Sequence, residues 1–366
     1  MSCDYLSRAN KGISKLQPYQ AGKPIEELER ELGIKDIIKL ASNENPLGFP
    51  ASAKQAITKH LDELTFYPDA NGFSLKKAIS EKFKVKQEQI TLGNGSNDLI
   101  ELIARTFVHD EDEVIFAQYA FIVYPLVTQA LNAKAVVVPA KNWGHDLPAM
   151  LAAITDKTKL VVVANPNNPT GTFLESAELE QFIKQVPENV LVVLDEAYTE
   201  FTPVSRRAPS LQWVDKYPNL IVCRTFSKAY GLAGLRIGYA VSSPEIMGIL
   251  NRVRQPFNCN SLALVAAEAV LADDAYLAKA YENNLAGLKL ITEFCEQEKL
   301  PYIPSMGNFI TIDFGKPAQP IYQQLLQKGV IVRPIAGYGM PNHLRISIGL
   351  PEQNQRLING LKEILN

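Results

Sequence analysis

Long apolar runs are missing from this sequence: nowhere do about 18 apolar residues follow one another, the length that spans a bilayer as a helix. The opening segment MSCDYLSRANKG has no apolar stretch of the kind that directs secretion, so the cytoplasm is the expected compartment and no membrane partner is expected. Cysteine is scarce, four in 366 residues, and Cys3, Cys223, Cys259 and Cys295 form no C-x-x-C pair. That spacing argues against a disulfide frame or a structural zinc site and for reduced thiols. His60, His109, His145 and His343 are just as scattered, without an H-E-x-x-H helix, so no metal is expected. Any acid–base chemistry must come from other groups. An excess of either charge is lacking too: 37 Lys and Arg against 39 Asp and Glu leave a net charge of -2, which speaks against a nucleic-acid partner. No solenoid repeat or low-complexity tract is visible.

What is present is an ordinary globular balance, 46% hydrophobic and 21% charged, in a chain long enough for one large core and a smaller one. Short apolar runs rich in β-branched residues alternate with longer helical patterns. The clearest runs are 113–117, 135–138, 159–164, 190–194, 219–223 and 235–241. Continuous apolar strands are buried on both faces, so the alternation predicts an α/β sheet covered by helices. Residues 98–107 place Leu99, Leu102, Ile103 and Phe107 on one helical stripe. Beyond about Pro256 a helix-rich stretch, 261–299, leads to short strands near 309–314, 330–333 and 344–348 and a last helix, the texture of a second, α+β domain. The expected organisation is an N-terminal arm over 1–35, a large domain over 36–255 and a small domain over 256–366.

Ligands of open α/β sheets sit beyond the carboxyl ends of the strands. Three such ends carry unusual polar sequence: ANPNNPTGT (164–172), LDEAYTEF (194–201) and RTFSKAYGLAGLRIGY (224–239). Singly, each has a plain structural explanation: a turn, a helix cap and a solvated lysine. Together they bring one amide, one carboxylate and one amine to the same edge of a sheet. Pyridoxal phosphate chemistry needs that set. An amine must condense with the aldehyde, and a buried carboxylate must keep the pyridine nitrogen protonated. Asn and Tyr donors must serve the ring oxygen, and backbone N–H groups with an arginine must hold the phosphate. A nicotinamide-binding turn fares worse, because LGNGSND (92–98) has G-x-G but Asp98 where the third glycine belongs.

The three segments resemble the core motifs of the fold-type I aminotransferases. SNENPLG (42–48), YPDANG (67–72), LGNGSND and RQPFNCNS (254–261) are most similar to the histidinol-phosphate aminotransferase subgroup. The likeness runs from about Gln17 to Gly349. It implies an α/β fold with a large domain built on a mostly parallel sheet flanked by helices, plus a smaller α+β domain. The implied cofactor is pyridoxal 5'-phosphate, with Lys228 resembling the Schiff-base lysine and proton-transfer base, and Asp195 the partner of the ring nitrogen. Tyr198 and Asn168 resemble donors to the ring oxygen. Arg236, Ser227 and Thr225 resemble the phosphate clamp, with Gly95, Ser96 and Asn97 opening a helix toward the same phosphate. Tyr119 is similar to the aromatic residue stacked on the ring; a core tyrosine is its alternative.

Tyr67 resembles a residue that reaches the phosphate of the other subunit, which implies a homodimer with shared sites. Arg345 resembles the small-domain arginine that binds substrate anions, and Arg333, two residues past Ile331, is a second candidate or a surface charge. Tyr19 and Asn43 resemble residues lining the substrate pocket. The implied reaction is transamination between L-histidinol phosphate and 2-oxoglutarate, giving imidazole acetol phosphate and glutamate in histidine biosynthesis. Neighbouring enzymes on the same fold, acting on aromatic amino acids or decarboxylating threonine phosphate, are the nearest rivals. A non-catalytic regulator is disfavoured by Lys228, Asp195 and Arg236 and by the lack of a basic helix-turn-helix extension.

Overall fold

In the computed structural model, which describes residues 3–18 and 22–365, the apolar runs form a seven-stranded sheet. Its strands, in spatial order, are Ile90–Gly93, Gly238–Val241, Leu220–Thr225, Leu191–Asp195, Thr158–Ala164, Glu113–Ala117 and Lys134–Val138. Only Gly238–Val241 runs against its neighbours. The continuous apolar character of the central strands has a direct cause. Val161 and Val163 pack into one core while Leu160, Val162 and Ala164 pack into another on the opposite face. Leu194 and Val193, and Val222 and Ile221, divide in the same way. The run 135–138 behaves differently: its strand is the sheet edge, and Val137 is 51% exposed.

Two expected strand boundaries need correction. The run 235–241 is a strand only over Gly238–Val241, because Ala233–Leu235 is a 3-10 turn and Arg236 adopts a left-handed φ of 57°. The run 330–333 is two short strands: Val330–Ile331 pairs in parallel with Ile38–Lys39, and Arg333–Pro334 pairs with His343–Ser347. The chain changes sheets at Val332.

Ser96–Phe107 is a helix whose Leu99, Leu102 and Ile103 are buried in the core beneath the sheet. It begins at Gly95, with φ 89°, and Asp98 Oδ2 accepts from the Asn94 N–H at 2.8 Å, satisfying a backbone donor ahead of the first turn. After Pro256, the helix Ser261–Leu271 packs on Ala51–His60 and Phe73–Phe83 within the core of the large sheet. The 24-residue helix Asp274–Gln297 then leads to a second core. There an antiparallel sheet runs in the order Arg333–Pro334, His343–Ser347, Phe309–Asp313, Tyr302–Ile303, and Ile310, Ile312, Leu344 and Ile346 are fully buried. Leu28, from the helix Ile25–Leu32, belongs to this second core, so the chain near its start is bound into the later sheet. Among the described residues no helix is long and apolar enough to cross a membrane, and no cluster of His, Cys, Asp or Glu could hold a metal ion.

Candidate active site

The three polar strand ends meet. Thr158–Ala164, Leu191–Asp195 and Leu220–Thr225 are parallel neighbours, so their carboxyl ends open on one side of the sheet. Asn168, Asp195, Tyr198, Thr225, Ser227, Lys228 and Arg236 line a single cleft there, and Ser96 and Asn97 reach it from the helix Ser96–Phe107. Asn43, Arg333 and Arg345 line it too.

Lys228 follows the Leu220–Thr225 strand and is half-buried, with Nζ donating to the Ser42 carbonyl at 2.9 Å. Burial first, and then the Arg345 and Arg236 charges, pull its amine down to about 8. Near neutrality roughly a tenth of such an amine is neutral, far more than of an ordinary lysine, and the neutral form is the one that condenses with an aldehyde. Asp195 ends its strand buried at the floor of the cleft, and burial raises its carboxyl above the ordinary range. Two donors oppose that rise: the Tyr124 hydroxyl at 2.7 Å on Oδ2 and the Ala197 N–H at 3.1 Å on Oδ1.

Tyr198 is buried, and its hydroxyl accepts from Asn168 Nδ2 at 3.2 Å and from Asn43 Nδ2 at 2.9 Å. Burial pushes that phenol up to about 12, so it stays a donor. Asn168 Oδ1 in turn accepts from Arg345 Nη1 at 2.5 Å, while Arg345 Nη2 donates to the Ala41 carbonyl at 2.8 Å. Asn43 is held by the Ser347 hydroxyl, which donates to Asn43 Oδ1 at 3.0 Å and accepts from the Asn43 N–H at 2.8 Å. Both asparagines thus tie Tyr198 to the strand His343–Ser347, which carries Arg345 and Ser347.

At the other end of the cleft Arg236 Nη1 donates to Ser227 Oγ at 3.2 Å, and the Ser227 N–H donates to Thr225 Oγ1 at 3.1 Å. Gly95 lies against the same guanidinium so closely that a Cβ there would collide with it. The left-handed φ of Arg236 and the absent side chain at Gly95 leave a cation facing the start of a twelve-residue helix. Helix-start N–H groups, hydroxyls and a guanidinium together form an anion cradle. This donor set fits pyridoxal phosphate: cradle, buried carboxylate, phenol with amide, and a lysine of lowered basicity surround one cavity.

Some expected residues lie elsewhere. Tyr119 is not among the residues lining the cleft; its ring packs on Trp143 at 5.3 Å beside Ile303, Ile335 and Met340. Tyr67 is 83% exposed and stacks on Phe257 at 4.7 Å. Tyr19 lies outside the described residues. The sequence reading missed Tyr124, Phe121, Ser347 and Tyr338. Tyr124 sits in FIVYP on the helix Val123–Ala130, where a tyrosine reads as ordinary core, and Ser347 belongs to an alternating strand with no motif of its own.

Residues 35–361 match the family described as aminotransferase class I and II, and the chain belongs to that family. Over 362 residues, 99% of each chain, it is 69% identical to histidinol-phosphate aminotransferase 1 of Mannheimia succiniciproducens. It is 66% identical to histidinol-phosphate aminotransferase 2 of Pasteurella multocida over 99% of each. Its fold superposes with a TM-score of 0.91, at 30% identity and over 98% of both chains, on the crystal structure of histidinol-phosphate aminotransferase from Sinorhizobium meliloti in complex with pyridoxal 5'-phosphate.

Proposed function

We propose that this aminotransferase exchanges the amino group of L-histidinol phosphate with 2-oxoglutarate, giving imidazole acetol phosphate and glutamate, a step of histidine biosynthesis in the cytoplasm. The observation that carries it is the pair of cationic groupings that line one cleft with Lys228, whose amine feels both Arg236 and Arg345. Ser96, Asn97, Ser227 and Arg236 make the first; Arg333 and Arg345 make the second. The first suits the phosphate of pyridoxal phosphate. The second suits the phosphate of histidinol phosphate and, in the other half-reaction, a carboxylate of glutamate, since a guanidinium pairs with either anion. The similarity to named histidinol-phosphate aminotransferases supports the same choice.

When bound, pyridoxal phosphate supplies an aldehyde that links to amines and a ring that draws off the electron pair left when the substrate α-carbon loses its proton. The chain's residues do the rest. Lys228 Nζ would hold the cofactor and would move the substrate α-proton as base and acid. Asp195 would keep the ring nitrogen protonated. Tyr198 Oη and Asn168 Nδ2 would donate to the ring oxygen. Arg345 joins the two tasks, since it grips Asn168 while facing the substrate anion. Asn43 orients the Tyr198 hydroxyl.

The exposed Tyr67 is assigned to the phosphate of a second subunit's site, which makes the working unit a homodimer. Tyr119, whose ring packs on Trp143 outside the cleft lining, is assigned its alternative role, a packing tyrosine. The chain divides into an arm, a large cofactor-binding domain and a smaller C-terminal domain.

The test is turnover of purified protein with histidinol phosphate and 2-oxoglutarate, beside phenylalanine and threonine phosphate. Histidinol phosphate is expected to win by orders of magnitude, and activity confined to phenylalanine would defeat the choice. Borohydride is expected to fix the cofactor label on Lys228, and Lys228→Ala to lose both label and turnover.

A further inference from the structure

The Asp195 carboxylate is held from behind by a residue outside every motif singled out in the sequence. Tyr124, second in the helix Val123–Ala130, is 1% exposed, and its hydroxyl donates to Asp195 Oδ2 at 2.7 Å. The other oxygen, Oδ1, accepts from the Ala197 N–H at 3.1 Å. One donor on each oxygen fixes the rotation of the carboxylate plane and still leaves a free lone pair on each. The phenol is itself immobilised. Phe121 meets its ring edge-on at 6.0 Å, and Thr128 Oγ1 donates to the Tyr124 carbonyl at 2.7 Å.

We propose that Tyr124 is a positioning residue for the reaction: its phenol anchors Asp195 from the helix side, so that the carboxylate presents its remaining lone pairs to the cofactor ring nitrogen. The role rests on Asp195 being the partner of that nitrogen. Tyr124 acts through Asp195.

Each packed element contributes something to the charge on Asp195. Burial favours the neutral acid, and the adjacent Glu196 adds to that. The Tyr124 hydrogen bond is the largest influence in favour of the carboxylate, ahead of the Ala197 N–H and the charge of Lys228. Cys223, on the neighbouring strand, and Tyr198 also face it; burial pushes the Cys223 thiol up, so it carries no charge, and Tyr198 is pushed up to about 12. Burial holds the Tyr124 phenol far above its ordinary range, so it is a donor at every working pH. Removing the hydroxyl therefore makes Asp195 easier to protonate. The carboxylate, which a protonated ring nitrogen needs, is then lost at a higher pH as the solution is acidified.

The experiment is equilibrium dialysis of pyridoxamine 5'-phosphate, which has no aldehyde for Lys228 to condense with, against cofactor-stripped full-length protein between about pH 5 and 9, with wild type, Tyr124→Phe and Asp195→Asn compared. Wild type is expected to lose affinity on the acid side, and in Tyr124→Phe that limb should move up by about one pH unit, the scale of a hydrogen bond to a charged acceptor. In Asp195→Asn the limb should vanish. Steady-state kinetics of Tyr124→Phe should show kcat down roughly tenfold with little change in KM for the amino substrate.

Affinity that falls uniformly with pH, or a limb that does not move, overturns the positioning role and leaves Tyr124 a packing residue. A limb that persists in Asp195→Asn overturns instead the assignment of Asp195, so the two failures are told apart. If circular dichroism shows Tyr124→Phe to be poorly folded, Tyr124 replaced by 3-fluorotyrosine decides. That phenol is a stronger donor of nearly the same shape and must move the limb down; no movement overturns the role.

Discussion

Arg333 and Arg345 stand directly opposite each other on neighbouring antiparallel strands, and both line the cleft. Opposed residues of such a pair project from the same face of the sheet. Two like charges then share one wall, an arrangement that an anion between them relieves. Arg345 is buried and tied to Asn168 and Ala41, whereas Arg333 is half-buried. The first is the rigid member of the pair and the second the more exposed one.

Replacing Arg345 tests that pair. Arg345→Lys keeps the charge but not the planar fork that meets both Asn168 and Ala41. Its kcat/KM should fall roughly ten- to a hundredfold with both histidinol phosphate and glutamate. Steady-state kinetics of each half-reaction is the check; a loss confined to one substrate would show that the anions do not share the site.

The amine of Lys228, lowered to about 8 by burial and by Arg345 and Arg236, sets a pH dependence. Below that pH the amine is protonated and cannot attack an aldehyde; above it the neutral form dominates. The rate at which cofactor-stripped protein captures pyridoxal phosphate should rise with pH and level off just above 8. Stopped-flow absorbance gives the profile. In Arg345→Gln one of the lowering charges is gone, and the midpoint should move upward.

Gly95→Ala tests the anion cradle. The added Cβ would strike the Arg236 guanidinium, and the φ of 89° at that position is strained for any L side chain. Affinity for pyridoxal phosphate should drop by roughly tenfold or more, as for loss of a charge-assisted contact. Binding of free inorganic phosphate in competition should weaken in parallel. Unchanged cofactor affinity would remove the helix start from the cradle.

Behind the cleft, Arg224 and Glu196 form a buried ion pair at 2.7 Å, joining the ends of the two strands that carry Asp195 and Thr225. Glu196→Gln leaves the guanidinium buried without its counter-charge. Breaking such a pair from one side costs about 3–5 kcal/mol, so chemical denaturation should show a loss of that order. A change below about 1 kcal/mol, the scale of an exposed pair, would mean that solvent reaches Arg224.

Much of the chemistry was legible before any coordinates, because it follows from residue types at the ends of apolar runs. Lys228 and Asn168 each stand a few residues beyond a strand that the β-branched pattern announces, Asp195 ends one, and Arg236 belongs to the same motif as Lys228. Boundaries were less legible where backbone geometry overrode the pattern: Leu235 and Arg236 look like strand, yet the left-handed turn at Arg236 delays the strand to Gly238. The edge position of Val137 was invisible for a similar reason, since an apolar residue says nothing about which strand lies beside it.

The sequence by itself determined the α/β class, the family and the set of reactive groups, because periodicity and local motifs depend only on neighbours along the chain. Tertiary structure alone decided which groups touch. Tyr124 reaches Asp195 across 71 positions, Asn43 meets Ser347 across 304, and Arg333 faces Arg345 only because two short strands pair in one register. Such contacts depend on how strands and helices stack, and a helix face that reads as core can as well be the wall of a site.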